Sequence, residues 1–171
     1  MKQFEQISGI LHSRFALTVI PTNRHSSVRH LFQHYSQNAD VPVYTWTDGV
    51  GLQTLEKEPL IIPDTESAPT VLDFIQNSLH YAVYLLQDFP YKANSKTGAL
   101  FNEIILNRNS VNGKIILVGP LFQLDPILQS HTLFVDCGQQ ATPVPFHTFA
   151  SEDSEEMPYI PMEKAVASMG R

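Results

Sequence analysis

Cysteine is almost absent from this sequence, which has one such residue, Cys137, among 171. A single cysteine excludes an internal disulfide and any zinc site built from several cysteines, and it is typical of a protein in a reducing compartment. Basic residues are also scarce, with 11 Lys and Arg against 17 Asp and Glu and a formal net charge of −6. Because a surface that holds phosphate backbones needs positive charge, we expect no nucleic-acid partner.

Long apolar runs are missing as well. The longest are the size of a strand, and the opening MKQFE does not resemble a secretory signal peptide. We therefore expect no direct insertion into a membrane and a cytoplasmic location. With 43% hydrophobic and 16% charged residues, the chain has enough apolar material to form the core of one domain.

Helical and strand patterns alternate along the first 137 residues. Strand patterns occupy 15–20, 43–46, 81–86, 114–118 and 132–135. Helical patterns occupy 4–11, 24–37, 67–80 and the region around 100–105, and Asp125 with Pro126 predicts a further short helix. This alternation predicts an α/β domain of three layers with a largely parallel five-stranded sheet. An extra β-hairpin over 52–62 stays open.

The apolar periodicity stops at Gly138. Residues 151–171 contain five acidic and two basic residues, which is half of the net charge. We therefore divide the chain into an α/β domain over 1–137 and an irregular acidic C-terminal tail over 138–171. The short apolar patch at 157–162 lies between prolines and cannot form a core, so we expect Tyr159 and Ile160 to anchor a protein partner.

Four segments of the domain carry a pattern more specific than alternation. They are 43–50 (VYTWTDGV), 71–75 (VLDFI), 84–90 (YLLQDFP) and 114–128 (KIILVGPLFQLDPIL). In order and spacing they resemble the N-terminal region of one AAA+ ATPase family, first noted as a conserved reading frame of chloroplast genomes and widespread in cyanobacteria and other bacteria. The resemblance covers roughly residues 3–136.

That resemblance implies a degenerate P-loop NTPase-like domain with AAA/RecA-like strand order. In the family a separate C-terminal AAA+ module carries the ATPase machinery, and this sequence stops before such a module. The resemblance would make Asp88 the relic of a Walker-B aspartate and 115–118 the counterpart of the sensor strand. A piece of a longer ATPase is one alternative that the residues leave open.

The segment after the first strand decides whether a P-loop can work. A P-loop needs glycines whose N–H groups face the phosphates, followed by Lys and Ser or Thr. Residues 21–27 read PTNRHSS, without glycine or lysine. Gly113-Lys114 leads into a strand, and 95–98 lacks the glycine loop. We therefore expect no bound nucleotide and no cofactor.

Other chemistry has weaker support from the sequence. Asp88 could bind a metal or act in catalysis at a sheet edge, alone or with Asp48 and Asp73, but it has no paired Glu, and Asp48-Gly49 is also an ordinary turn signal. His30 and His34 are four residues apart and could share a metal, yet no third ligand follows at a readable spacing. We predict no catalytic residue and no metal site, and Cys137 is interpreted as a structural thiol.

These observations favour a non-catalytic partner-binding or regulatory module, a component of a larger protein assembly. The candidate partner surface consists of Trp46, Asp48, Asp88, Phe89, Tyr91, Tyr159 and Ile160. Core packing would explain the aromatic residues among them equally well. The alternative is an enzyme that handles a nucleotide or phosphate at a non-standard site near Asp88.

Overall fold

The computed structural model of the chain describes residues 2–107, 111–136 and 143–145. Five helices lie in this part of the chain: α1 (Lys2–His12), α2 (His25–Ala39), α3 (Ala68–Asn77), α4 (Lys96–Leu106) and α5 (Pro126–Gln129). Its strands are β1 (Leu17–Pro21), β2 (Val43–Thr47), β3 (Gly51–Thr54), β4 (Ile61–Ile62), β5 (Ala82–Gln87), β6 (Gly113–Gly119), β7 (Thr132–Val135) and β8 (Pro143–Pro145).

The strands form one mixed sheet in the order β4-β3-β2-β5-β6-β1-β7-β8. The five central strands, from β2 to β7 in that order, are parallel, whereas β3, β4 and β8 pair antiparallel at the two edges. The five predicted strands are confirmed as this parallel centre, but the predicted count of five for the whole sheet is too low, because β3, β4 and β8 extend it at its edges. The hairpin left open over 52–62 is present as β3 and β4. Numbered along the chain, the parallel strands lie in the order 2-3-4-1-5.

Side chains alternate between the two faces of the central strands. On β6, Ile115 and Leu117 belong to the buried cluster under α3, α4 and α5. Ile116 and Val118 belong to the cluster under α1 and α2. Because both faces are covered, the central strands are apolar throughout, and the predicted three-layer arrangement is confirmed.

Capping signals in the sequence placed the starts of two helices, α3 and α5, correctly. Ser67 caps α3, since its Oγ accepts a hydrogen bond from the Thr70 N–H, and Asp125 Oδ1 accepts one from the Ile127 N–H at 3.0 Å at the start of α5. The predicted extension of α3 to residue 80 is wrong. The helix ends at Asn77 and Ser78 is extended, so Leu79 leaves the buried face and is 87% exposed.

Part of the predicted tail pairs with the sheet, because strand β8 lies beside β7. Residues 137–142 and 146–171 lie outside the described residues, and with them Cys137, Tyr159 and Ile160. The domain boundary and the roles of these three residues therefore stay predictions. Within the described part of the chain, no helix combines the length and the apolar character needed to cross a membrane.

Candidate functional site

The carboxyl ends of the parallel strands form the candidate site. Strands β1 and β6 are neighbours, and the chain leaves them in opposite directions: α2 follows β1 onto one face, while the segment after β6 leads to α5 on the other. In open α/β sheets such a divergence creates the crevice in which ligands bind. The residues around this point therefore decide whether the site is open.

The connection from β1 to α2 is very short. It consists of Thr22, Asn23 and Arg24. The Thr22 N–H donates to the Gly119 carbonyl at 2.9 Å, and the Arg24 N–H donates to Thr22 Oγ1 at 3.0 Å. Two of the three N–H groups of the connection are thus bound within the protein, and the first bond joins the end of β1 to the end of β6 across the crevice.

A second bridge crosses the same place. His25 Nε2, on the first residue of α2, lies 3.0 Å from Asp88 Oδ1, on the residue after β5. The two side chains are 27% and 62% exposed, respectively, so the pair is in contact with water. The bridge spans the end of β6, because β5 and β1 lie on opposite sides of that strand.

Backbone geometry holds the Asp88 carboxylate over β6. Asp88 has φ 47°, in the left-handed region, and its N–H donates to the Val118 carbonyl at 2.9 Å. Gly119 supplies the space: a Cβ at this position would lie 2.8 Å from Asp88 Oδ1 and 3.0 Å from the Phe122 ring. A strained aspartate and a glycine on the neighbouring strand thus act together to form the bridge.

A row of uncharged polar side chains continues along the edge. Gln87 Nε2 donates to Thr45 Oγ1 at 3.0 Å, and Thr47 Oγ1 donates to Gln87 Oε1 at 3.4 Å. Asp48 follows as an exposed residue in a turn whose next residue, Gly49, has φ 75°. The turn interpretation of Asp48-Gly49 is confirmed.

Three aromatic residues of the predicted partner surface, Trp46, Phe89 and Tyr91, lie beneath this edge. Trp46 is fully buried and Phe89 is 3% exposed, with their ring centroids 5.5 Å apart, and Trp46 Nε1 donates to the Thr65 carbonyl at 2.7 Å. Tyr91 is half-buried, and its hydroxyl donates to Asn102 Oδ1 at 2.8 Å. Placing Trp46 and Phe89 on a surface was wrong, because the alternation of β2 and the turn after β5 direct them into the core.

The structure does not gather the carboxylates into a metal site. Asp73 lies exposed on α3, with its Oδ1 accepting a hydrogen bond from Asn77 Nδ2 at 3.1 Å. Across residues 2–107 and 111–136, no three His, Cys, Asp or Glu side chains come together in a group that could hold a metal ion. His30 and His34 are exposed on α2, away from the sheet edge, and line a groove between α1 and α2.

Comparison with protein families shows to which family the chain belongs. Residues 3–137 match the profile of the SpoVK-like AAA ATPase N-terminal domain. The chain belongs to this family. No curated protein and no solved structure matches it significantly.

For this SpoVK-like N-terminal domain, sequence reasoning found Asp88 but missed its partners. His25 carries no local motif and lies 63 residues from Asp88 in the sequence, so only the tertiary fold brings the two together. Gly119 stood inside a motif of the family resemblance, but its role as space for a carboxylate depends on the register of β5 and β6. The sequence had one usable signal, which was a glycine at the end of a buried strand.

Proposed function

We propose that this domain is a non-catalytic module that binds a protein partner or regulates a larger assembly, and that its sheet is a degenerate relative of P-loop sheets. The observation that carries the proposal is the three-residue connection between β1 and α2. A phosphate cradle needs several free N–H groups on a longer, glycine-rich loop. Here the Thr22 and Arg24 N–H groups are already bound inside the protein.

The strand order supports the relation to P-loop proteins. The order 2-3-4-1-5 of the parallel centre is the AAA-like order that the sequence resemblance implied. On this basis we propose that the domain is related to the N-terminal region of the chloroplast-reading-frame type of AAA+ ATPase. We propose that Asp88 is the relic of a Walker-B aspartate that no longer acts on a bound phosphate. We also propose a cytoplasmic location. The His25–Asp88 bridge then occupies the place where a nucleotide would otherwise approach.

The proposed partner surface is the exposed rim of the carboxyl edge. Asp48 and Asp88 are exposed there, and Leu121, two residues after β6, is 75% exposed. An exposed leucine on the same edge of the sheet as two carboxylates fits a partner that offers an apolar pocket with basic residues around it. Tyr159 and Ile160 are proposed as a second contact.

Purification of the tagged chain from its native cells tests this proposal. We expect a stoichiometric protein partner whose recovery falls by about tenfold or more in Leu121→Ser and Asp48→Lys, since anchors at an interface centre contribute most of its affinity. Asp73→Lys is the matched control, because Asp73 is an exposed acid on a helix away from the edge. If Leu121→Ser and Asp48→Lys recover as much partner as Asp73→Lys does, the proposed surface is not the binding site.

A second candidate function rests on the His25–Asp88 pair itself. An imidazole hydrogen-bonded to a carboxylate is an arrangement that general bases use, so a phosphate- or nucleotide-handling activity near Asp88 is the alternative. Turnover of ATP or of a phosphate ester that is lost in His25→Ala and in Asp88→Ala would favour it.

A further inference from the structure

A groove lies between α1 and α2, away from the sheet edge. It has a volume of about 420 Å³ and is lined by Gln3, Phe4, Ile7, His30, Leu31 and His34. Phe4 is 39% exposed although its ring lies 4.9 Å from that of Tyr35. The volume lies within the range of about 300–1,000 Å³ that is typical of small-molecule pockets, so the groove has room for apolar side chains.

The polar side of this groove favours an acidic occupant. None of the six lining residues is acidic, and α2 contains no Asp or Glu. His30 and His34 stand four residues apart, one turn of the helix, and each ring has an N–H that can donate to a carboxylate. An apolar anchor with carboxylates beside it would match the groove in both respects.

This chain contains such a segment. Residues 152–156 read EDSEE and are followed at 157–162 by MPYIPM, so four acidic residues directly precede an apolar patch. Tyr159 and Ile160 are the largest apolar side chains of the patch. The segment thus combines carboxylates with apolar side chains, and the groove lining combines two imidazoles with Phe4 and Leu31.

The segment can reach the groove from the end of the sheet. Strand β8 ends at Pro145, beside β7, whose Leu133 and Val135 share a buried cluster with residues of α1. Six residues, 146–151, separate β8 from the acidic start of the segment at residue 152, so the chain from Pro145 can span up to roughly 23 Å. Three strand spacings from β8 to β6 amount to about 15 Å and one layer at right angles to them to about 10 Å, a direct distance of roughly 18 Å, so the path is short enough.

We infer that residues 152–162 of this chain dock in the α1–α2 groove, with Tyr159 and Ile160 against Phe4 and Leu31 and the carboxylates against His30 and His34. The inference does not rest on the closed sheet edge, since the groove lies on the α1–α2 layer. If a protein partner also uses Tyr159 and Ile160, the groove competes with that partner for them.

Disulfide trapping in the full chain tests the docking. In a Cys137→Ser background, His34→Cys with Ile160→Cys is oxidised by oxidised glutathione, and Asp73→Cys with Ile160→Cys is the control, because Asp73 lies exposed on the opposite layer. We expect about tenfold more intramolecular disulfide in the first pair, because docking raises the local thiol concentration. Adding Phe4→Ser should remove most of this excess, with unchanged circular dichroism as evidence of folding.

Three outcomes would overturn the inference. Equal trapping of the two pairs would mean that the segment has no preference for the groove. A covalent dimer in place of an intramolecular bond would assign the groove to a second copy of the chain. An excess that Phe4→Ser leaves intact would show that the contact does not use the groove. None of these results touches the proposed function, whose test uses Leu121 and Asp48.

Discussion

Gly119 leaves room for the carboxylate of Asp88: a Cβ in place of its hydrogen would lie 2.8 Å from Asp88 Oδ1. This relationship connects the end of β6 to the turn after β5 and allows Asp88 to reach His25. The hydrogen bond between His25 and Asp88 therefore depends on Gly119, although Gly119 is not one of its partners.

Gly119→Ala should lower the free energy of unfolding by about 1–3 kcal/mol, because the added methyl group displaces the Asp88 carboxylate and the Phe122 ring. Urea denaturation measures this. Combining it with Asp88→Ala should recover part of the loss, since one of the two clashing groups is then gone. Gly9→Ala is the control: apart from neighbouring residues and backbone of its own helix, no atom would lie within 4 Å of the added Cβ, and the change should stabilise α1 by up to about 1 kcal/mol. If the double variant loses as much free energy of unfolding as the two single variants lose together, the steric explanation is contradicted.

Substitutions of Asp88 should change the stability of the protein through backbone conformation more than through the loss of charge. Asp88→Asn should change stability by less than about 0.5 kcal/mol, because asparagine tolerates positive φ and an exposed side-chain bridge contributes little. Asp88→Val should cost about 1–2 kcal/mol more, since a β-branched residue is unfavourable at φ 47°. Thermal or urea unfolding of the two variants decides this, and equal stabilities would argue against strain at this residue.

Lys114 should be a structural lysine. It is 8% exposed, and its Nζ donates to the carbonyls of Ser13 and Phe15, at 2.5 and 2.6 Å, before β1; burial lowers the pKa of its ammonium group. Lys114→Met keeps the apolar stem but leaves both carbonyls without this donor, so it should cost about 1–3 kcal/mol. Lys96→Met, at an exposed position in α4, should be nearly neutral in the same denaturation experiment. A neutral Lys114→Met would mean that water replaces the ammonium.

Substitutions at the centre of the sheet should have the largest effect on folding. Ile116 is fully buried in β6 between β5 and β1. Ile116→Asp should prevent folding, because it buries an unpaired charge, and Ile116→Ala should fold with a loss of about 2–5 kcal/mol. Gln37→Ala should leave the melting temperature nearly unchanged, since Gln37 is exposed on α2. A well-folded Ile116→Asp protein would contradict the assignment of β6 to the sheet centre.

The sequence was sufficient for the parallel centre because each of its strands is buried on both faces and therefore reads as a short apolar run between turn signals. β6, with Ile115, Ile116 and Leu117 all fully buried, is the clearest case. The end of α3 was harder to predict. Leu79 continued the helical spacing, but Ser78 turns the chain out of the helix, and no glycine or proline marks that point.

The candidate site was predictable only in part. The lack of glycine after β1 was visible in the sequence, whereas the bond between the Thr22 N–H and the Gly119 carbonyl depends on β1 and β6 being neighbours. Burial of Trp46 and Phe89 also needed the tertiary fold, because aromatic residues at strand ends occur both in cores and at interfaces.

The most direct test of the central claim is the melting temperature of the purified chain with and without millimolar Mg·ATP. A ligand that binds only the folded state raises apparent stability, by about 2.7 kcal/mol at a hundredfold excess over its dissociation constant. Because the crevice between β1 and β6 is closed by the protein's own hydrogen bonds, we predict no shift. A clear rise that requires Mg²⁺ and disappears in Asp88→Ala would contradict the account and restore the sheet edge as a nucleotide site.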